Sequence, residues 1–419
     1  MESGRGAGDR SAGVLRGVFQ SRVIVVALLA AIAAGVVAVL VLFGHRLSLR
    51  AAMALVAMLG LSSVIAFAHL RHAGLALATA VVPLSGLIAA ASLGLFLGPL
   101  VLAYLTGLTI ALFLADDIAL RVVDGSGGAD AAAETLRENA FAGAAAAISA
   151  AALATVMLLA GHRAATPLMA ALDEAASGLS ALIVLPLVAS LLPYSEDFVS
   201  RANRLRELRE RRTEKLAAVT EPRWGWSLTG IGVVFFALTF FGSRALHATE
   251  PVVHFALEIW VVVAVLVAGA ALAVTRDWRR SLAVAIALGL AALVGCWGYA
   301  RAGISLNLAS WLALMQVMGT GLALSLFVAQ AARPDGGEDT TAASVRSLMG
   351  KTGVVAAATF CAIVVLLGLS LSIGREAIAL AVALFFAGLG AVLLQPALTI
   401  AIETLAPRRS TIEARYRVN

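Results

Sequence analysis

Stretches of about 20 apolar residues, separated by short polar breaks, recur from residue 22 to residue 403 of this 419-residue chain. At about 1.5 Å per residue a helix of that length crosses the ~30 Å hydrocarbon layer of a bilayer. Hydrocarbon offers the backbone no hydrogen-bond partners, so each run must satisfy its own amide and carbonyl groups as a helix. The alternating pattern of a membrane barrel is absent. Composition agrees: 61% of residues are hydrophobic and 13% charged, against about 45–50% and about 25% in soluble domains. The mean hydropathy is +0.95. The expected fold is therefore an all-α polytopic membrane protein, with loops too short for a sizeable soluble domain.

Twelve spans are expected, at 22–43, 50–69, 73–93, 97–121, 139–160, 172–193, 226–246, 253–275, 281–300, 304–330, 352–371 and 376–403. They divide the chain into an N-terminal tail (1–21), a first six-helix repeat (22–193), a charged linker (194–225), a second six-helix repeat (226–403) and a C-terminal tail (404–419). In the linker, Arg201, Arg204, Arg206, Arg209, Arg211, Arg212 and Lys215 alternate with Glu207, Glu210 and Glu214 around Leu205, Leu208 and Leu216. That pattern suits an amphipathic helix on the membrane surface, or a solvated connector. Arginines cluster before the first span, in alternate loops and after the last, so the positive-inside rule places both termini in the cytoplasm. No cleavage site follows the first apolar run, which reads as a retained helix of a bacterial inner-membrane protein.

The net charge of +6 reads as this orientation signal and not as nucleic-acid binding, since no soluble basic domain is available to carry it. Cys296 and Cys361 both fall inside apolar spans, so neither a disulfide framework nor a metal-ligand spacing is present. No cofactor motif occurs. Gly350-Lys351-Thr352 resembles the end of a phosphate-binding loop, but position 345 is Val and the strand–helix context is lacking. Arg276-Asp277-Trp278-Arg279-Arg280 echoes a loop of major-facilitator carriers without its glycines. No nucleophile–base arrangement is visible, and an enzyme is not expected.

Chemistry concentrates in the fourth span, where Gly107 to Ala115 runs directly into Asp116-Asp117. A carboxylate in a membrane helix costs about 2.5–3.5 kcal/mol on insertion scales and marks a functional candidate. Neighbours on a helix point about 100° apart, so one acid faces inward, expected to be Asp116, while Asp117 can pair with Arg121 one turn on. Burial away from Arg121 and against the tenth span would suit proton handling; exposure at the rim beside Arg121 would not. A secondary polar site is read at Glu258 and His254 in the eighth span, and at Asn307, Gln316, Ser325 and Gln330 in the tenth, which could hydrogen-bond across to the fourth. Thr106-Gly107-Leu108 and Thr320-Gly321-Leu322 match between the halves, and Pro186 and Pro193 match Pro396, as in a parallel repeat about an axis along the membrane normal.

These residues resemble the RND superfamily, in particular its MMPL-type lipid exporters. Gly107 to Leu120 is similar to the family's fourth helix, a Gly-rich segment entering an Asp-Asp or Asp-Tyr pair. Arg301 to Ser310 with Gly319-Thr320-Gly321, Gly350-Lys351-Thr352-Gly353 and Leu394-Gln395-Pro396-Ala397-Leu398 resemble its tenth, eleventh and twelfth helices. The resemblance implies that Asp116 and Asp117 bind and release protons to drive export of a lipid or hydrophobic molecule. Two departures stand out. The links 44–49 and 243–249 are too short for the family's extracytoplasmic domains. The family's acid in the tenth helix is replaced by Ala323 or by Gln330, depending on register. The expected function is a proton-coupled transporter in contact with membrane lipids, with any porter or periplasmic domain supplied by a separate subunit. The alternatives are a non-transporting scaffold with a degenerate relay, and a major-facilitator carrier. Central, adjacent fourth and tenth helices would distinguish the RND arrangement from the last. Substrate and oligomeric state are not legible.

Overall fold

The structure is a computed structural model and describes residues 19, 21–27, 29–30, 49–91, 97–159, 165–217, 222–242, 250–304, 307–331, 351–368 and 374–405. The expected first span and both tails lie mostly outside these residues. The first half contributes α1 (Leu49–Leu70), α2 (Ala73–Ala91), α3 (Leu97–Val123), α4 (Gly128–Thr155) and α5 (Ala165–Leu191). α6 (Glu196–Ala217) connects the halves. The second half contributes α7 (Pro222–Gly242), α8 (Glu250–Thr275), α9 (Trp278–Arg301), α10 (Leu308–Ala331), α11 (Thr352–Gly368) and α12 (Arg375–Leu389). A π-helical turn, Gly390–Leu394, joins α12 to α13 (Gln395–Leu405). Pro396, just beyond it, has no N–H for a helical bond and accounts for the widened turn.

No strand occurs among the described residues. Among the described residues, six spans are long and apolar enough to cross a membrane: Leu100–Val123, Gly128–Leu158, Ala165–Leu191, Trp278–Arg301, Ala309–Ala331 and Arg375–Leu405. Shorter apolar helices run over Val56–Leu70, Ala73–Ile88, Ile259–Thr275 and Thr352–Gly368. The chain is an all-α polytopic membrane protein.

α3 and α10 lie side by side at the centre, and the apolar stretch of each is almost wholly buried. Central, adjacent fourth and tenth spans are the arrangement that the RND resemblance leads one to expect. The two halves pack alike. α5 rests on α2, α3 and α4, as α12 rests on α9, α10 and α11; α4 reaches across to α10 and α8, as α11 reaches across to α3 and α1. Matching residues meet on the axis: Thr106 Oγ1 lies 2.9 Å from Thr320 Oγ1, and the rings of Phe113 and Phe327 stack 4.7 Å apart, 7° from parallel. Both pairs hold the same register, in which Gln330 is the counterpart of Asp116 in the second half.

Close approach depends on glycine. A Cβ on Gly107 would stand 2.1 Å from Ser177 Oγ and 2.8 Å from the Ser177 carbonyl, so α3 and α5 touch backbone to backbone there. Gly178 and Gly388 repeat the device in the two halves, facing Ala147 and Thr359 respectively. Arg71 and Arg276, at matching tight links after α1 and α8, both take positive φ (57° and 53°). Asp277, in the loop that echoes a carrier motif, accepts the Arg279 N–H at 3.0 Å and caps α9.

Candidate functional site

Polar side chains gather at two levels along α3. The first is the end of the bundle where α6 docks. Asp116, 3% exposed, accepts from Arg209 Nη1 at 2.9 Å and lies 3.0 Å from His69 Nε2. Arg209 Nη2 also donates to the His69 carbonyl at 2.9 Å, which fixes the guanidinium between α1 and α3. The Arg209 stem passes beside Gly353, where even a Cβ would make only ordinary contact, 3.4 Å from Arg209 Cδ. The linker is thus a helix that inserts a cation into the bundle. A second bond, Arg206 Nη1 to Asp124 Oδ1 at 2.6 Å, and the buried ring of Phe198 against His72 (centroids 5.1 Å apart) hold its course.

Asp117 points to a different set of partners. Its Oδ2 accepts from Thr135 Oγ1 at 3.0 Å, Asn139 Nδ2 at 3.1 Å and Arg121 Nε at 3.3 Å, and Lys351 Nζ lies 3.4 Å from Oδ1. Arg121 goes on to Glu134 (2.9 Å) and Glu138. Thr135 and Asn139 stand one turn apart on α4, which begins at Gly128 and not at the expected 139. An open cavity of about 820 Å³ reaches Asp117 between α4 and α10, lined also by Glu134, Glu138, Gln330 and Lys351, with Phe327 against it. The two acids are therefore separated: one dry and clamped by Arg209 and His69, the other beside Arg121 at an open cleft.

The second level lies one helical stretch deeper. Thr106 precedes Asp116 by ten residues of continuous helix, about 15 Å, and the stacked Phe113–Phe327 pair lies between the levels. At this depth α5 presents Glu174, wholly buried. Thr106 and Gln316 are within side-chain hydrogen-bonding reach of its carboxylate, yet neither carboxylate oxygen has a hydrogen bond of good geometry. Asp173, 5% exposed, adjoins it. The span expected from the sequence starts at 172, which puts these acids at its very edge. The helix starts at Ala165, because Pro167 falls in the first turn, where the backbone N–H has no helical partner to lose. Pro167 followed by five apolar residues was the available signal.

The other expected polar residues divide. Gln316 faces Glu174. Ser325 is buried, and its carbonyl accepts from Gln395 Nε2 at 3.1 Å. Asn307 does not reach α3: it is exposed and its Oδ1 accepts the Ser310 N–H at 2.9 Å, capping α10. Gln330 bonds the Glu138 carbonyl of α4 (2.5 Å), not α3. His254 and Glu258 fall within α8, but their side chains lie outside the described residues. No cluster of three or more His, Cys, Asp or Glu suited to a metal ion occurs among the described residues.

No protein-family model matches the chain, and no curated protein matches it. Solved structures do. SecDF in its super-membrane-facing form aligns with a TM-score of 0.60 at 15% identity, covering 88% of this chain and 62% of that one. SecDF from Thermus thermophilus, a translocon-associated membrane protein, aligns with a TM-score of 0.59 at 16% identity, covering 84% and 62%. The chain thus spans less than two thirds of the length of these structures. The shared fold is RND-like.

Proposed function

We propose that the chain is the membrane core of a proton-coupled RND-type transporter, with its α6 end in the cytoplasm of a bacterial cell. The observation that supports this is the housing of Asp116. It is a buried carboxylate on a central helix, and both of its counter-groups, His69 and Arg209, come from elements outside the α3–α10 pair. An ion pair in a poorly screened site is held by its charges. Protonating Asp116 discharges it and releases Arg209 and His69, so proton uptake is converted into movement of α6 and α1 against α3. The open cleft at Asp117 gives water a route to this end.

The cargo that fits the resemblance is a lipid or another hydrophobic molecule, with MMPL-type export as the finer reading. The test uses purified protein in liposomes with a trapped pH-sensitive dye. Under an imposed gradient the wild type should conduct protons, and Asp116→Asn should lower the flux about tenfold or more. Equal flux in the two would overturn the coupling.

A second reading has support of its own. α10 carries Gln330 where the repeat would place a second acid, and one structural neighbour is translocon-associated. On that reading the chain is an accessory subunit acting with a membrane partner that supplies an extracytoplasmic domain. Co-purification from native membranes of a stoichiometric partner, with no proton flux from the isolated chain, would favour it.

A further inference from the structure

We propose that Glu174 is a second proton-binding site, set within the membrane on α5 and distinct from the Asp116–Asp117 level. The proposal deepens the proton-coupled reading and rests on it.

The placement is built from three helices. Glu174 comes from α5, Thr106 from α3 and Gln316 from α10, so the carboxyl stands where the two central helices meet the first-half support. Thr106 Oγ1 continues to Thr320 Oγ1 at 2.9 Å, and Thr320 Oγ1 donates to the Gln316 carbonyl at 3.4 Å. One turn on from Glu174, Ser177 Oγ is wholly buried with no hydrogen-bond partner and is directed at Gly107, beside Thr106. The level thus holds a hydroxyl with unused capacity next to a carboxyl whose oxygens lack well-made bonds.

Ionisable groups around it are few. α5 itself supplies Asp173. α2, over Ala73–Ala91, and α10, over Leu308–Ala331, carry none. α4 has none beyond Glu138, which belongs to the other level. On α3, Tyr104 turns to Ser62 and to the Ala80 carbonyl, and the acids and Arg121 stand about 15 Å away or more. Among the described residues no ion pair reaches Glu174. A carboxyl in such surroundings persists as the neutral acid, or as carboxylate only while a cation accompanies it. A single carboxyl flanked by hydroxyl and amide groups suits a proton as that cation. The step is reversible: the carboxylate takes a proton to form an O–H, and the same bond breaks when the proton leaves.

The repeat makes the residue stand out. Gly178 and Gly388, and Pro186 and Pro396, are separated by the same interval, and in that register the counterpart of Glu174 is Leu384, wholly buried. Packing alone is satisfied by leucine. The acid therefore serves something that only the first half does.

The test is infrared difference spectroscopy of the full chain in lipid, following the carbonyl stretch of protonated carboxyl groups as bulk pH is stepped, alongside the proton-flux assay. Glu174→Gln should delete a carboxyl band that titrates in the wild type, and should lower flux about tenfold or more. Glu174→Leu, which copies Leu384, should do the same while remaining folded. Asp116→Asn should abolish flux and leave the Glu174 band in place. A band unchanged in both Glu174 variants, one that does not respond to bulk pH, or one lost with flux unaffected would each overturn the proposal. Loss of the wild-type band on adding sodium at fixed pH would assign another cation and overturn it equally. Should the wild type conduct no protons, the transporter reading fails, and the pH response of the band still decides whether Glu174 exchanges its proton.

Discussion

Asp116 and Asp117 on α3, and Asp173 and Glu174 on α5, are both adjacent acids inside apolar helices, and the protein treats them oppositely. The α3 pair is surrounded by compensation: Arg209, His69, Arg121 and Lys351 bring positive or protonatable groups, and Thr135 and Asn139 add hydrogen bonds. Among the described residues the α5 pair meets no cation, and Glu174 has only amide and hydroxyl neighbours. A buried charge that is paired resists removal of either partner. A buried acid left to neutral neighbours contributes little to holding the fold, which is what the proposed proton site requires. The lesson is that acidity inside a membrane span is read from what surrounds it, not from its presence.

Five substitutions test that contrast, the first four ordered by expected size. Arg209→Ala should be the most damaging, at about 3 kcal/mol, since it leaves Asp116 buried with His69 alone. Thermal unfolding in detergent checks this, and adding Asp116→Asn to the same chain should recover part of the loss. Glu174→Leu should act in the opposite direction, raising stability by about 1–2 kcal/mol, because it removes a poorly bonded polar group from an apolar setting. A destabilised Glu174→Leu protein would place Glu174 among the clamps and erase the contrast. Asp117→Asn should cost about 1 kcal/mol: the amide can still accept from Thr135, and Arg121 keeps Glu134 and Glu138. Thr320→Val should cost about 0.6 kcal/mol, the typical worth of one interhelical side-chain bond in a membrane. Thr106→Val should exceed it, because Thr106 also faces Glu174.

Much of the architecture was visible in the residues. Runs of apolar residues locate the helices, and Thr106-Gly107-Leu108 with Thr320-Gly321-Leu322 already holds the register that Phe113 and Phe327 complete. Asp116-Asp117 announced itself as charge in an apolar run. Its partners did not, because His69 and Arg209 lie 47 and 93 residues away along the chain and only packing brings them together. The linker pattern indicated an amphipathic helix, but nothing in it marked Arg209 as the arginine that enters the bundle. Glu174 was hidden by a boundary. A polar pair lowers local hydropathy, so an apolar-run reading puts the edge of the span at the very residues that matter, while the helix already runs from Ala165. Asn307 shows the converse error: a polar residue near a central helix serves that helix's own first turn.

The axial separation of the two acidic levels has an electrical consequence. About 15 Å of helix divides Asp116 from the layer of Thr106 and Glu174, roughly half of a ~30 Å insulating film. The transmembrane voltage falls mainly across that film, at about 2.3 kcal/mol per elementary charge for 100 mV over its full depth. A proton passing from one level to the other therefore exchanges on the order of 1 kcal/mol with the field at that voltage. The stacked rings of Phe113 and Phe327 stand between the levels, so on the proposed reading the two acids would sense different fractions of the same field.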